Sequence, residues 1–282
     1  MKISVVIVAH IPAKYEAPMS AQLQELYGGV VHADTELSAQ GLAAAPAPDP
    51  ANLPDYRNHY YGMLLENAVV QSVLAAEQAG ADAVVVNCFD DPGVRAARSV
   101  ATIAVFGICE PSLHIACQLG RTIGALVPDL PGQVGYVRQQ IADHGLGDRL
   151  LPGGVRTEGK PFVESQPESD THPEAMAERL RHGAKGLVRD GADVVLVACG
   201  GLGGVCDRVG LHHLTVDERL VPMVTPLPVA LKHAEAMVEL QRAQGFPIPS
   251  QAHDGFRLSP EDRARIQDGF GVPCNNAPQV EE

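Results

Sequence analysis

The sequence predicts an α/β fold made of two similar halves, each with a parallel sheet covered by helices. Apolar runs of strand length alternate with helical segments along most of the 282 residues, as in parallel sheets with right-handed crossovers. In addition, the phrase Gly-Ala-Asp, followed by an apolar run and a cysteine, occurs at 80–88 and again at 191–199. This repeat of turn, strand and cysteine, each time after a helical segment, indicates two halves of the same design.

The predicted strands are apolar on both faces, which is typical of parallel strands between two helical layers. They lie at 2–9, 81–88, 103–109, 122–128, 192–199 and 221–226, with short strands also expected after residue 30 and within 150–172. The predicted helices lie at 14–27, 60–80, 90–100, 110–120, 131–145, 173–191, 228–240 and 260–267.

Local signals support several of these boundaries. Gly80 is a typical C-terminal stop for helix 60–80. The apolar face of that helix has helical spacing and consists of Leu64, Ala68, Val69, Val73 and Ala76. Asp90 or Asp91 can cap helix 90–100, since Pro92 suits its first turn. The glycine-rich stretch 200–204 is predicted to be a loop.

The charge and cysteine content of the chain restrict the kinds of molecule with which it can interact. The chain has 21 basic and 34 acidic residues, for a net charge of −13, and such a surface repels phosphate backbones and anionic lipids. The first apolar run is too short for a signal peptide, and six cysteines without one indicate reduced thiols. We therefore expect a cytoplasmic protein that acts on a small molecule, with neither nucleic acid nor membrane as a partner.

The two cysteines of the repeat are the strongest candidates for chemistry. Each follows a predicted strand at its carboxyl end, where ligands bind in open parallel sheets. Cys88 precedes a predicted helix N-terminus, which favours a thiolate, and Cys199 precedes glycines whose amides can stabilise an oxyanion. If the halves face each other, the two thiols share one cleft. One thiolate then takes a proton from a carbon acid and the other thiol returns one to the opposite face, so configuration inverts.

Other interpretations of the cysteines remain open. A cysteine at a strand end is often a small buried hydrophobe, and we interpret Cys109 and Cys117 as core residues. A redox pair is disfavoured because no CxxC spacing is present. Cys206, His212 and His213 do not have the spacing of standard metal ligands, so we predict no metal site.

Four segments resemble the hydantoin racemases, within the wider aspartate/glutamate racemase superfamily. CFDDPGVRAAR at 88–98 and GICEPSLHIACQLG resemble the first half of that family. GADVVLVACGGL at 191–202 resembles its second cysteine segment, and VPMVTPLPVALKHAEAMV resembles its closing strand and helix. The resemblance covers residues 54–240, with gaps near 150–172. The match at Asp91-Pro92-Gly93 and at Glu110 is to the hydantoin-type branch.

This resemblance implies two pseudo-symmetric flavodoxin-like halves, each with αβα layers, and an active site between them. It implies that Cys88 and Cys199 are the acid/base pair and that no cofactor or metal takes part. We predict that 1–120 with 225–282 form the first half and that 121–224 form the second. A homo-oligomer is also expected.

The predicted substrate contacts surround the cysteines and the end of the first strand. They are His10, Phe89, Asp90, Gly200 and Gly201. Acidic residues next to Cys88 disfavour a dicarboxylate and favour a neutral or monoanionic ring, unless they only cap a helix. The chain departs from the family pattern in its first loop, which reads AHIPAK rather than an Asn-Pro-Asn type segment. It departs again at Gly201 and Leu202, where the family usually has a small residue and Met.

We therefore predict a cofactor-independent racemase or epimerase of a hydantoin-like or allantoin-like cyclic ureide. One alternative is a cofactor-free isomerase or decarboxylase of a small carboxylic or dicarboxylic acid in the same superfamily. The decarboxylases lack the first cysteine, whereas Cys88 is present here. The other alternative is a non-catalytic protein that binds a small molecule and has unreactive thiols.

Overall fold

A computed structural model describes residues 1–42, 58–245, 247 and 258–272 of the chain. Its contacts group the chain into two units. The first consists of Met1–Val86, Pro92–Phe106 and Lys232–Glu282, and the second of Asn87–Asp91 and Gly107–Leu231. This grouping differs from the predicted division at residues 120 and 225, because it assigns residues 107–120 to the second unit. The predicted division stays a prediction.

The first sheet has four strands in the order β2-β1-β3-β4. These strands are β1 (Lys2–Ile7), β2 (Glu36–Gln40), β3 (Ala83–Asn87) and β4 (Ala104–Gly107). The accompanying helices are α1 (Glu16–Tyr27), α2 (His59–Gln78) and α3 (Val94–Arg98). Of the connection between β2 and α2, residues 43–57 lie outside the described part of the chain.

Helices α2 and α3 cover one face of the first sheet. Their buried side chains form one cluster with strand residues, which includes Val69, Val73, Val94, Ala97, Val84 and Val105. The prediction for Leu64 is wrong, since this residue is 50% exposed. Leu65 packs partly against the cluster instead, because the buried stripe of α2 follows the period of Leu65, Ala68 and Val69.

The second sheet has five strands in the order β6-β5-β7-β9-β8. These strands are β5 (Ile123–Asp129), β6 (Leu150–Pro161), β7 (Val194–Val197), β8 (His213–Val216) and β9 (Arg219–Val224). All neighbours are parallel except β8, which pairs antiparallel with β9. The sequence prediction missed β8. Its connection to β9 consists of Asp217 and Glu218, both with positive φ, as two-residue hairpin turns require.

Helices pack against both faces of the second sheet, so its central strands are buried on both sides. The helices that follow α3 are α4 (Cys109–Leu119), α5 (Gln133–Asp143), α6 (Phe162–Ser165), α7 (Glu168–Thr171), α8 (Pro173–Arg189), α9 (Gly200–Val209), α10 (Pro226–Gln244) and α11 (Pro260–Gly269). Helices α8 and α9 share a core cluster with the sheet, while α4 and α5 contact the strands as well. The predicted helix at 260–267 is confirmed as α11.

The repeated Gly-Ala-Asp tripeptide has the same structural role in both units. Gly80 and Gly191 both have positive φ, at 80° and 112°, which ends the preceding helix. Asp82 Oδ2 then accepts the N–H of Lys2 at 2.7 Å, and Asp193 Oδ2 accepts the N–H of Thr122 at 3.1 Å. Each aspartate thus links the start of one strand to the start of its neighbour.

Strand order completes this equivalence. The sheets share the sequence of neighbours second-first-third-fourth, if β8 is set aside as a hairpin addition to β9. This is the flavodoxin-like order. The prediction of an α/β fold with two similar halves and parallel sheets is therefore confirmed. Within the described residues, no helix combines the length and the apolar character needed to cross a membrane.

Candidate active site

Cys88 lies in a tight turn directly after β3. The N–H of Asp91 donates to the carbonyl of Cys88 at 3.0 Å, and the thiol is half-buried. The predicted capping of the next helix by Asp90 or Asp91 is wrong, because α3 begins only at Val94, after Gly93 with φ of 69° and without a side-chain cap. Cys88 is therefore not at the N-terminus of α3, as the sequence had predicted it to be.

The surroundings of Cys88 keep it protonated. Burial raises the pKa of the Cys88 thiol well above its ordinary value, and the charge of Asp90 raises it further. The backbone N–H of Asp90 donates to the sulfur and lowers the pKa, but Cys199 and Asp91 add to the upward shift. Since removal of a proton from Cys88 creates an anion among anions, this thiol is suited to hold a proton.

Cys199 has a different environment, at the N-cap position of α9. The backbone N–H groups of Gly201 and Leu202 lower the pKa of Cys199, since the first amides of a helix lack partners within the helix. Burial outweighs them, with smaller contributions from Asp90 and Glu158, and raises the pKa of Cys199 to about 11. Of the two thiols, Cys199 has the stronger support for a thiolate.

The glycines after Cys199 are not the predicted loop, since they form the first turns of α9. At two of these positions glycine is required, because neighbouring atoms leave no room for a side chain. A methyl group at Gly200 would overlap Asn87 Oδ1 and come within 3.0 Å of its Cγ, and one at Gly203 would come within 2.7 Å of Pro226 Cδ. The glycines thus let the helix start close to Asn87 and Pro226, despite their low helix propensity.

Together, these features bring two of the predicted site residues into one arrangement. Cys88 and Cys199 belong to the same unit, and the charge of Cys199 acts on the pKa of Cys88. Carboxylates raise the pKa of both thiols, and two helical amides offset part of this rise at Cys199. Such a pair can hold one proton in a defined position, which suits acid/base chemistry at a carbon atom.

Comparison with known proteins places this arrangement in a family. The model of the family described as Asp/Glu/hydantoin racemase matches residues 35–234, which includes both cysteines. The chain belongs to the Asp/Glu/hydantoin racemase family. The hydantoin racemase of Rhizobium meliloti is 30% identical over 222 residues, which cover 79% of this chain and 84% of the relative.

Solved structures show the same fold. The allantoin racemase of Klebsiella pneumoniae superposes with a TM-score of 0.67 at 21% identity, covering 92% of this chain and 94% of that one. The allantoin racemase of Pseudomonas fluorescens gives a TM-score of 0.68 at 22% identity, with 92% and 98% covered. Together with the family match, the relatives identify this chain as an isomerase of the racemase type.

The other predicted contacts of this racemase-family chain have varied surroundings. Phe89 is 3% exposed, and its carbonyl accepts a hydrogen bond from Gln140 Nε2 at 2.6 Å. Gly201 is exposed, and Asp90 is half-buried next to Cys88. His10 belongs to the first unit, where it is exposed and its Nδ1 lies 3.3 Å from the carbonyl of Leu42. Their contacts with a substrate stay predictions.

Sequence reasoning missed three residues of this site in the racemase-family chain. Asn87 contacts Gly200, Gln140 holds the Cys88 turn, and Glu158 acts on Cys199. Asn87 could have been identified from the sequence, because its polar carboxamide side chain follows an otherwise apolar strand. Gln140 is one polar residue among several on α5, and Glu158 lies in a segment with no clear resemblance to the family.

Three further cysteines of this family member lie within the described residues, and their surroundings are those of structural residues. Cys109 is buried, as predicted, whereas Cys117 is half-buried. Cys206 lies in the core of the second unit, where burial raises its pKa to about 12. In the part of the chain that the structure describes, no three His, Cys, Asp or Glu side chains are grouped so as to hold a metal ion.

Proposed function

We propose that this chain is a cofactor-independent racemase that inverts a carbon-acid stereocentre by proton transfer between Cys199 and Cys88. The observation that supports this proposal is the contrast between the two thiols. Two backbone amides at the start of α9 lower the pKa of Cys199, while the carboxylates of Asp90 and Asp91 raise the pKa of Cys88. One thiol is therefore equipped to act as a base and the other as an acid.

In this mechanism the substrate lies between a thiolate and a thiol. The Cys199 thiolate removes the proton from the stereocentre, and its sulfur becomes a thiol. The electron pair of the broken C–H bond moves into the adjacent carbonyl and forms an enolate. The Cys88 thiol then donates its proton to the opposite face of the same carbon and becomes a thiolate. In the reverse direction the two cysteines exchange roles, so the enzyme accepts both enantiomers.

The charges around the thiols favour a substrate without a carboxylate. The largest side-chain charges that act on Cys88 and Cys199 are negative and include those of Asp90, Asp91 and Glu158. A dicarboxylate would be repelled at this position. A neutral ring whose stereocentre adjoins a carbonyl fits better, and relatives carry the names hydantoin racemase and allantoin racemase. We therefore propose a hydantoin-like or allantoin-like cyclic ureide as the substrate, in a cytoplasmic homo-oligomer.

Deuterium exchange tests the proposal without assuming the product. Single enantiomers of 5-substituted hydantoins and allantoin are incubated with the protein in D₂O. Proton NMR follows loss of the signal at the stereocentre, and polarimetry follows inversion. The wild type should exchange and invert at least one of these ureides faster than the enzyme-free control, and aspartate, glutamate and maleate should not react.

Three cysteine variants separate the mechanism from the fold. Cys88→Ser and Cys199→Ser should each lose inversion by a factor on the order of 10³ or more. Cys117→Ser is the matched control, since this half-buried cysteine lies outside the site, and it should match the wild type. Full inversion by both single variants at the site would disprove the two-thiol mechanism. Failure of the wild type on every ureide would disprove the substrate class.

A further inference from the structure

Asp91 has a geometry that the proton transfer does not explain. It ends the turn that begins at Cys88, and its backbone has φ of 48°, in the left-handed region that non-glycine residues seldom adopt. Asp and Asn are the residues that tolerate this region best. Strained backbone of this kind persists where surrounding contacts hold it, and it is concentrated at functional sites.

Three contacts hold Asp91 in place. Its N–H closes the turn on the carbonyl of Cys88 at 3.0 Å. Its Oδ1 accepts the N–H of Cys109, the first residue of α4, at 3.1 Å. Its carboxylate also lies over the Cα of Gly107, so closely that a methyl group there would overlap it. These residues belong to the same unit, so the Cys88 turn is fastened to the junction of β4 and α4.

We propose that Asp91 is a positioning residue for Cys88, because its carboxylate anchors the Cys88 turn to the start of α4 and to the bare backbone of Gly107. The anchor fixes the direction of the Cys88 thiol relative to the reacting carbon. This role rests on the proposed function, in which Cys88 donates a proton. The anchor also requires glycine at position 107, since any side chain there would displace the Asp91 carboxylate.

The charge of Asp91 supports a second effect of the same anchor. The charges of Asp90, Cys199 and Asp91 each raise the pKa of the Cys88 thiol. Asp91 also raises the pKa of Cys109 beyond the effect of burial. The group that orients the Cys88 turn therefore also keeps its thiol protonated, which a proton donor requires.

Two substitutions separate position from charge. Asp91→Asn keeps an oxygen acceptor and tolerates the backbone conformation, but removes the charge. Gly107→Ala keeps every titratable group but displaces the carboxylate. Gly135→Ala in α5 is the matched control, because a methyl group there meets nothing within 4 Å. Each variant is measured for thermal unfolding, for the rate of inversion of a 5-substituted hydantoin, and for iodoacetamide alkylation of Cys88 by peptide mass spectrometry.

The expected results differ between the variants. Gly107→Ala should lower kcat for inversion on the order of 10²-fold, since misplacement by about 1 Å has that effect, and Gly135→Ala should match the wild type. Asp91→Asn should raise the alkylation rate of Cys88 at pH 9 about tenfold for each pKa unit by which the thiol shifts downward. Its unfolding temperature should stay close to that of the wild type.

The proposal is overturned if Gly107→Ala inverts the substrate as fast as Gly135→Ala, or if Asp91→Asn leaves Cys88 alkylation unchanged. If Gly107→Ala does not fold, Asp91→Gly decides the outcome, because glycine adopts the same backbone conformation but removes the acceptor of the Cys109 N–H. Inversion by Asp91→Gly as fast as by Asp91→Asn then overturns the anchor. If the wild type inverts no ureide, the proposed function fails, yet an unfolding temperature of Asp91→Gly below that of Asp91→Asn still supports the anchor, and equal temperatures overturn it. The two failures are thus distinguishable.

Discussion

The side-chain amide of Asn87 lies directly against the Cα of Gly200. A methyl group at Gly200 would overlap Asn87 Oδ1, and this oxygen has no hydrogen-bond partner among the described residues. Asn87 precedes Cys88 in the chain and Gly200 follows Cys199. The absence of a side chain at Gly200 therefore allows the two segments that carry the candidate acid and base to lie this close together.

The first prediction concerns this contact. Gly200→Ala should lower the free energy of unfolding by about 1–3 kcal/mol, as overpacking does, and should slow inversion on the order of 10²-fold because the thiols move apart. Gly204→Ala in the same helix is the control. A methyl group there comes no closer than 3.9 Å to Arg208, and the gain in helix propensity is up to about 1 kcal/mol.

A double substitution shows whether Asn87 is the obstacle. Asn87→Ala removes the overlapping atoms, so combined with Gly200→Ala it should recover part of the lost stability and rate. Urea unfolding and polarimetry measure both. Equal stability and equal activity of Gly200→Ala and Gly204→Ala would show that the contact limits nothing.

The second prediction is the pH dependence of Cys199 reactivity. Because the pKa of this thiol is raised to about 11, only about one molecule in 10³ carries the thiolate at pH 8. Alkylation by iodoacetamide should therefore rise about tenfold for each pH unit between 7 and 10. Cys199 should also react faster than Cys88, whose thiol lacks the support of a helix N-terminus. A plateau for Cys199 below pH 9, or faster labelling of Cys88, would contradict this assignment of base and acid.

The third prediction concerns the hydrogen bond that Gln140 donates to the Cys88 turn. Gln140→Ala removes the donor to the carbonyl of Phe89, which should destabilise the protein by about 1–2 kcal/mol and slow inversion. Gln139→Ala is the control one residue earlier, since the Gln139 amide donates to the side chain of Asp143 at the surface. If both variants unfold at the same urea concentration and invert at the wild-type rate, Gln140 does not hold the turn.

Several elements of this fold could be predicted from the sequence because their signals are local. An apolar run of strand length after Gly-Ala-Asp predicted β3 and β7, and Gly80 predicted the end of α2. The repeat and the family resemblance together led to the prediction that Cys88 and Cys199 act as a pair. Both cysteines lie in the same unit, within electrostatic reach of each other.

What the sequence could not predict depends on contacts between distant residues. The glycines after Cys199 read as a loop, because nothing nearby in the chain shows that Asn87 and Pro226 crowd the start of α9. Likewise, Asp91 read as the cap of the next helix, whereas it caps α4 through Cys109, 18 residues later. In both cases propensity was overridden by tertiary packing.

The fourth prediction concerns the buried carboxylate of Glu158. Its side chain accepts hydrogen bonds from Ser165 Oγ at 2.5 Å and from Arg179 Nη2 at 3.2 Å, and its charge raises the pKa of Cys199 beyond the effect of burial. Glu158→Gln keeps an acceptor but removes this charge. The pKa of Cys199 should fall from about 11, so the thiolate fraction and the alkylation rate below pH 10 should rise severalfold.

Stability and a matched control complete this test. Glu158→Gln should also cost about 1–3 kcal/mol of unfolding free energy, because the hydrogen bond from Arg179 loses its charged acceptor, although Arg179 keeps its ion pair with Glu168 at 2.9 Å. Glu164→Gln, at an exposed position in α6, should change neither quantity. If Cys199 is alkylated at the same rate in both variants, the charge of Glu158 does not act on the base. In that case its role is confined to joining β6, α6 and α8 through Ser165 and Arg179.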